Sequence, residues 1–264
     1  MAENELTLTS VQAWGAGWED LPGYIAKLNK PVAQFYGYVW EGVYKYSDFN
    51  QLGPNSFILK DNITANGETR ANVQPGDIKY KDLNGDLVID ANDRTVIGNP
   101  LPIHTGGFSN NFTYKNFDLN VFFQWSYGND IYNANRLALE TGMLINTNQF
   151  ASYANRWSPS NPDSNMPGVR GTTNMAYSTR VVEDGSFIRL KTVQLAYMLP
   201  ADFLKRIKIK SAKVYMAAQN IITWSNYSGY DPEVSVRRTA LTPGFDYSAY
   251  PRAFTATLGL NVNF

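Results

Sequence analysis

The 264-residue sequence has no cysteine and a single histidine, His104. The first absence excludes a disulfide framework and thiolate chemistry while leaving the compartment open. The second argues against a multi-histidine metal centre and a histidine-dependent triad. Charge excess is absent too: 23 Lys and Arg balance 23 Asp and Glu. There is therefore no electrostatic case for nucleic acid or for an acidic membrane surface. Only 17% of residues are charged, against about a quarter in ordinary soluble domains. No apolar run approaches the roughly 18 residues of a spanning helix. The opening "MAENELTLTS" has neither the basic nor the apolar region of a secretory signal, and the expectation is a truncated chain.

What the sequence does have is aromatic side chains, 14% of the total with 17 Tyr, 14 Phe and 6 Trp. Such rings suit a large sugar-like ligand surface or a membrane boundary. A chain of this kind meets a membrane with strands. In "FTATLGLNVNF" (254–264), Phe254, Ala256, Leu258, Leu260, Val262 and Phe264 fall on one face of an extended strand. Thr255, Thr257, Gly259, Asn261 and Asn263 fall on the other.

The same period recurs upstream. "GGFSNNFTY" and "FDLNVFFQW" flank Lys115-Asn116 and read as a hairpin on a two-residue turn. "SFIRLKTVQLAYML", in which Val193, Leu195, Tyr197 and Leu199 share a face, leads through "PADFLKRIKIK" into "SAKVYMAAQNIITW". The spacing gives a loop region over 34–104, a hairpin over 105–126, a long loop over 127–185, a hairpin over 186–222, a long loop over 223–251 and a terminal strand over 252–264. Tight turns on one side and extended loops on the other, with strands of about ten alternating residues, are how a barrel threads a bilayer. The fold class expected is all-β. Five or six strands cannot close around a polar lumen, so the barrel in this sequence is incomplete.

At that point the sequence resembles one family, the SusC/RagA-type TonB-dependent outer-membrane transporters of Gram-negative bacteria. The resemblance lies in "QFYGYVWEGVYK" (35–46), "GDIKYKDLNGDLVIDANDRTVIGNPLP" (76–102), "GGFSNNFTYKNFDLNVFFQWSYGNDIYN" (106–133), "NRWSPSNPDSNMP" (155–167), "EDGSFIRLKTVQLAYMLP" (183–200), "VYMAAQNIITWSNYSGYDPEV" (214–234) and "YPRAFTATLGLNVNF" (250–264). It implies the C-terminal part of a barrel of about 22 strands. It also implies energy from the TonB complex through a missing N-terminal portion, a SusD-like surface lipoprotein as partner, and import of oligosaccharides or peptides. The final Phe264 resembles the aromatic signal read by the barrel-assembly machinery, and the apolar strand faces would meet outer-membrane lipid.

Two further readings concern sites. "DLNGDLVIDAND" places Asp82, Asn84, Asp86, Asp90 and Asp93 at positions 1, 3, 5, 9 and 12 of a calcium loop, with the Val88 carbonyl at position 7. A structural Ca2+ is the expectation, against a turn cluster in which Asp and Asn cap their own backbone. Leu87 stands where the sharp turn normally asks for glycine, and Asp93 where a Glu is usual. Among the loop aromatics, Trp157, Tyr227 and Tyr230, with Asp231 and Glu233 alongside, are candidates for ligand contact. The competing function is a soluble β-rich glycan-binding or glycan-hydrolysing module, with Asp231 and Glu233 as the carboxylates. No second element positions them across a cleft, and no catalytic residue is assigned.

Overall fold

The computed structural model describes residues 12–14, 23–140, 148–169, 176–206, 208–234 and 241–264. In chain order the described strands are β1 (Gln12–Trp14), β2 (Tyr24–Ala26), β3 (Gln34–Gly37), β4 (Trp40–Val43), β5 (Phe49–Gly53), β6 (Ser56–Leu59), β7 (Ile78–Tyr80) and β8 (Thr95–Gly98). There follow β9 (His104–Tyr114), β10 (Phe117–Tyr127), β11 (Asp130–Asn133), helix α1 (Ala134–Leu139), β12 (Val182–Asp184), β13 (Phe187–Met198), helix α2 (Ala201–Arg206), β14 (Ser211–Ser225), β15 (Phe245–Asp246) and β16 (Thr255–Asn263). No described helix is long and apolar enough to cross a membrane, which says nothing of crossing by strands. The chain divides into two compact units, each assembled from separated segments.

One unit, residues 102–129, 184–233 and 249–264, is a single antiparallel sheet in the order β16-β14-β13-β10-β9. Its strands run from 9 to 15 residues. The apolar positions line up in rows across all five strands. Leu260, Val214, Tyr197, Phe117 and Tyr114 form one row, and Leu258, Met216, Leu195, Leu119 and Phe112 the next. Among the described residues this face is open: Leu258 is 79% exposed, Met216 60% and Phe112 58%. The opposite face is mostly polar, with Phe122, Phe187 and Tyr215 among its residues, and its polar groups bond to one another. Asn120 Nδ2 donates to Asn111 Oδ1 at 2.6 Å, Thr113 Oγ1 to Asp118 at 2.9 Å, and Lys213 lies 3.7 Å from Asp118.

Strand β13 shows why one face stays apolar although the sequence does not alternate evenly. Its apolar residues fall on even numbers at Ile188 and Leu190, then on odd numbers at Val193, Leu195 and Tyr197. A bulge places Lys191 as an extra residue between Leu190 and Thr192, opposite Phe123 and Phe122 of β10. An extra residue shifts the side-chain phase by one, so both halves of β13 keep their apolar side outward. In β14 two residues, Asn220 and Ile221, fall in the same stretch opposite Lys191. An even insertion restores the phase, and Ala218 and Ile222 share a face. Leu199, expected to extend this face, lies beyond the end of β13.

The β9–β10 connection is the two-residue turn expected, but its left-handed residue is Lys115, φ 52, rather than Asn116. On the same end of the sheet lie the connector with α2 and the close of β16, where Lys210 N donates to Asn263 O at 2.9 Å. Tight connections therefore share one end.

The other unit corrects an expectation. The segments read as loops, 34–104, 127–185 and 223–251, contribute to a folded unit spanning 1–101, 130–183 and 234–248, in which 1–11, 15–22, 141–147, 170–175 and 235–240 lie outside the described residues. Its strands are two to five residues long, too short to display a period, and some pair with partners distant in sequence: β3 with β8, and β11 in parallel with β15. Tyr24, Phe35, Tyr38, Tyr80, Tyr132, Tyr177 and Phe245 make a core of rings, with Tyr132 and Phe245 stacked at 5.8 Å between centroids. A second cluster gathers Tyr44, Phe49, Leu59, Ala65 and Val73. The aromatic content expected at a surface is thus partly spent in a core.

Helix α1 is tied down by charge. Glu140 accepts from Arg136 at 3.1 Å and Arg180 at 2.8 Å, and Arg136 also reaches Glu183 at 3.0 Å. Gly37 in β3 shows how closely the chain packs: a Cβ there would fall 2.1 Å from the Tyr177 carbonyl oxygen. Backbone cannot yield as a side chain can, so Gly37→Ala is expected to destabilise this unit by at least the ~1–3 kcal/mol of overpacking. Urea unfolding followed by near-UV circular dichroism checks it, and an unchanged midpoint would refute the close approach.

Candidate functional site

The polar groups that organise the long-connection end of the sheet centre on Arg189. This residue sits on the polar side of β13, between outward Ile188 and Leu190, and is 1% exposed. Its guanidinium lies 5.3 Å from the Phe187 ring. Nε donates to Thr223 Oγ1 of β14 at 2.9 Å, Nη2 to Asp231 Oδ1 at 2.5 Å, and Nη1 to Glu233 Oε2 at 2.9 Å. Each face of the fork is therefore used.

The carboxylates are saturated in turn. Asp231 also accepts the backbone N–H of Glu233 and that of Arg252, both at 2.9 Å, and Arg252 Nη2 reaches Glu233 Oε1 at 3.1 Å. Arg189 thus holds the segment leaving β14 and the segment entering β16 on one point. Asp231 and Glu233, expected as ligand contacts or as a glycosidase pair, are structural partners of an arginine. Charge neutralisation and hydrogen bonding occupy the oxygens that a general base or nucleophile would need.

The aromatic candidates divide. Tyr227 is 8% exposed and packs over Gly229, whose absent side chain makes room for the ring. Trp157, half-buried in the other unit, lies over Gly76 and against Tyr46 at 5.5 Å. Tyr230, adjacent to the clamped Asp231, is 85% exposed, the most open of the three rings. Arg189 was missed in sequence because it looks like any polar residue of an alternating strand. The signal available was an arginine flanked by apolar neighbours, together with a close carboxylate pair in the segment that follows the next long strand.

The Asp-rich loop folds on itself. Asp82 accepts from the N–H groups of Gly85 at 2.6 Å and Leu87 at 2.8 Å, Asn84 from Asp86, and Asp86 from Val88. Asp90 accepts from Asn92. Asp93, fully buried, accepts from Leu83 at 2.8 Å and Asp90 at 2.9 Å. Among the described residues no three acidic side chains converge closely enough to hold a metal ion. Desolvation raises the Asp82 carboxyl, but the Gly85 and Leu87 N–H groups and the Thr64 hydroxyl outweigh it and hold it below the usual carboxylate range. Its contribution is present above about pH 4 and is lost as pH falls through the depressed value.

Leu87, at φ 67, adopts the left-handed conformation for which glycine is usual. Leu87→Gly is expected to leave the loop unchanged or firmer, since the strain removed, ~1 kcal/mol, offsets the entropy added. Asp93→Ala removes the acceptor of two N–H groups and is expected to cost about 1–3 kcal/mol. Limited proteolysis between residues 82 and 93 checks both, and faster cleavage of the glycine variant would contradict the reading of Leu87.

No family model matches the chain. Its sequence is 35% identical over 245 residues to TonB-dependent receptor P3 of Formosa agariphila, covering 91% of this chain and 23% of that protein. It is 40% identical over 195 residues to TonB-dependent receptor P26 of the same organism. To TonB-dependent receptor SusC of Bacteroides thetaiotaomicron it is 28% identical over 197 residues, 73% of this chain. The chain spans about a quarter or less of the length of these curated relatives. In fold it is similar to the RagAB peptide importer in the open-open state, with a TM-score of 0.68, 22% identity, and coverage of 100% of this chain and 25% of that one.

Proposed function

Because the chain belongs to the SusC/RagA-type TonB-dependent receptors, we propose that its five-stranded sheet is a stretch of outer-membrane barrel wall in a transporter of oligosaccharides or peptides. The observation that carries this is the pair of faces: five rows of apolar side chains open on one side, and a hydrogen-bonded polar surface on the other. In water the first face would be a liability, whereas against hydrocarbon it is the stable arrangement. The polar face then lines the lumen. The tight connections lie on the periplasmic side, and the clamped segment near Tyr230 on the outer side.

In this reading import draws energy from the TonB complex, and a SusD-like lipoprotein delivers substrate at the outer side. Phe264 serves the barrel-assembly machinery, and no catalytic step is involved. Deleting the receptor gene tests the transport role. Growth on oligosaccharides or on peptides as sole carbon source should fail for one class, and TonB depletion should reproduce that failure. Unchanged growth on both would sink the proposal.

Calcium at residues 82–93 is carried by the oxygen spacing alone. Millimolar Ca2+, the affinity range of extracellular modules, should slow cleavage of the loop and chelation restore it. Equal rates would leave the loop as its own hydrogen-bonded turn cluster.

A further inference from the structure

At the long-connection end of the sheet, β9, β10, β13 and β14 form an open groove of about 870 Å³. Its rings are His104, Trp125, Tyr127, Trp224 and the buried Phe187, joined by Ile188. Trp125 pairs with Ile188, which pairs with Trp224, so these three lie on the apolar face, in its last row. His104 and Tyr127 are cross-strand partners with rings stacked at 5.2 Å, and Trp125 Nε1 donates to His104 Nδ1 at 3.2 Å. Tyr127, Ile188 and Trp224 are each more than half exposed.

A plain interfacial belt would stop at rings. Here the rings are met by short polar groups that carry no positive charge: Asp184, Ser186, Ser225 and Asn226. Asp184 Oδ1 accepts from Ser186 N at 2.8 Å, and Ser225 Oγ donates to the Ser186 carbonyl at 3.1 Å. Asp184 and Asn226 are themselves exposed on the groove. Flat rings next to a fixed carboxylate and an amide match a sugar ring, which offers an apolar C–H face and hydroxyls around its edge. A phosphate would meet the Asp184 carboxylate and is disfavoured. Trp125, Ile188 and Trp224 of the groove lie on the apolar, membrane-facing side of the sheet, so a ligand stacking on them arrives from the bilayer.

We propose that this groove binds the uncharged sugar headgroup of an outer-leaflet glycolipid, with Trp224 stacking on a ring and Asp184 accepting from its hydroxyls. The proposal rests on the barrel-wall reading above. The full-length receptor is reconstituted in nanodiscs of phosphatidylcholine containing digalactosyl diacylglycerol, and the lipids it retains on extraction are counted by native mass spectrometry. Digalactosyl lipid should be enriched over phosphatidylcholine by about tenfold, equivalent to ~1.4 kcal/mol. That preference should fall to near unity in Trp224→Leu, which keeps an apolar rim, and in Asp184→Asn, which keeps the acceptor for Ser186. Equal retention of the two lipids by the wild type, or a preference that survives both substitutions, would overturn the proposal. Binding of the tail-free galactose disaccharide as tight as that of the lipid would overturn its membrane source. Failure of the receptor to enter any nanodisc would instead count against the barrel wall.

Discussion

Arg189→Ala is expected to destabilise the sheet unit by about 3–5 kcal/mol, because it strands Asp231 and Glu233 beside the polar face with no cation in reach of both. Arg252 contacts Glu233 by its side chain but Asp231 only by its backbone N–H. The loss divides into two readouts. Global unfolding of the receptor in urea should move to lower denaturant, and protease should cut between residues 226 and 252 well before that transition. Arg189→Lys should recover little, since one ammonium cannot serve Thr223, Asp231 and Glu233 in a fixed fork. The triple variant Arg189→Met, Asp231→Ala, Glu233→Ala removes the stranded charges and should be less damaged than the sum of its parts. If Arg189→Ala and Arg189→Lys both unfold at the wild-type midpoint, the clamp contributes nothing and the arginine is incidental.

The clamp also marks where sequence reasoning ends. Strands β9, β10, β13, β14 and β16 were legible because each is long enough to repeat its two-residue period four times or more, and because tight and long connections alternate. The phase slip at Lys191 was not, since a bulge is invisible until the partner strand is known; only then do Ile188 and Val193 fall on one face. The other unit was missed for a related reason. Strands such as Phe245–Asp246 and Tyr24–Ala26 have no period of their own; the first is defined by a parallel partner more than a hundred residues away, the second by short neighbouring strands and by its place among the core rings. Composition misled in both units. Tyrosine serves a core as well as a ligand surface, and Tyr132, Tyr177 and Tyr227 are buried while Tyr230 is open. The carboxylates at 231 and 233 were visible, but their meaning depended on an arginine forty residues earlier.

The membrane role of the sheet predicts a cost that depends on face and depth. Val193 lies in the central row, between Ala218 of β14 and Val121 of β10. Tyr197 lies in the row nearest the tight turns, and Gln194 on the polar side. Val193→Arg should cost ~2–4 kcal/mol in a lipid bilayer, and Tyr197→Arg ~0–1 kcal/mol of the same electrostatic penalty, because a long cation near the interface can reach the headgroups. Gln194→Arg, next to Val193 but pointing to the lumen, should be close to neutral. Equilibrium unfolding of the receptor from phospholipid vesicles measures all three. The comparison is stringent because the apolar face is open among the described residues: on a water-soluble module, arginine on that open surface would be harmless or even beneficial. Near-equal stability of Val193→Arg and Gln194→Arg would therefore place both faces in water, and the barrel wall would be lost with it.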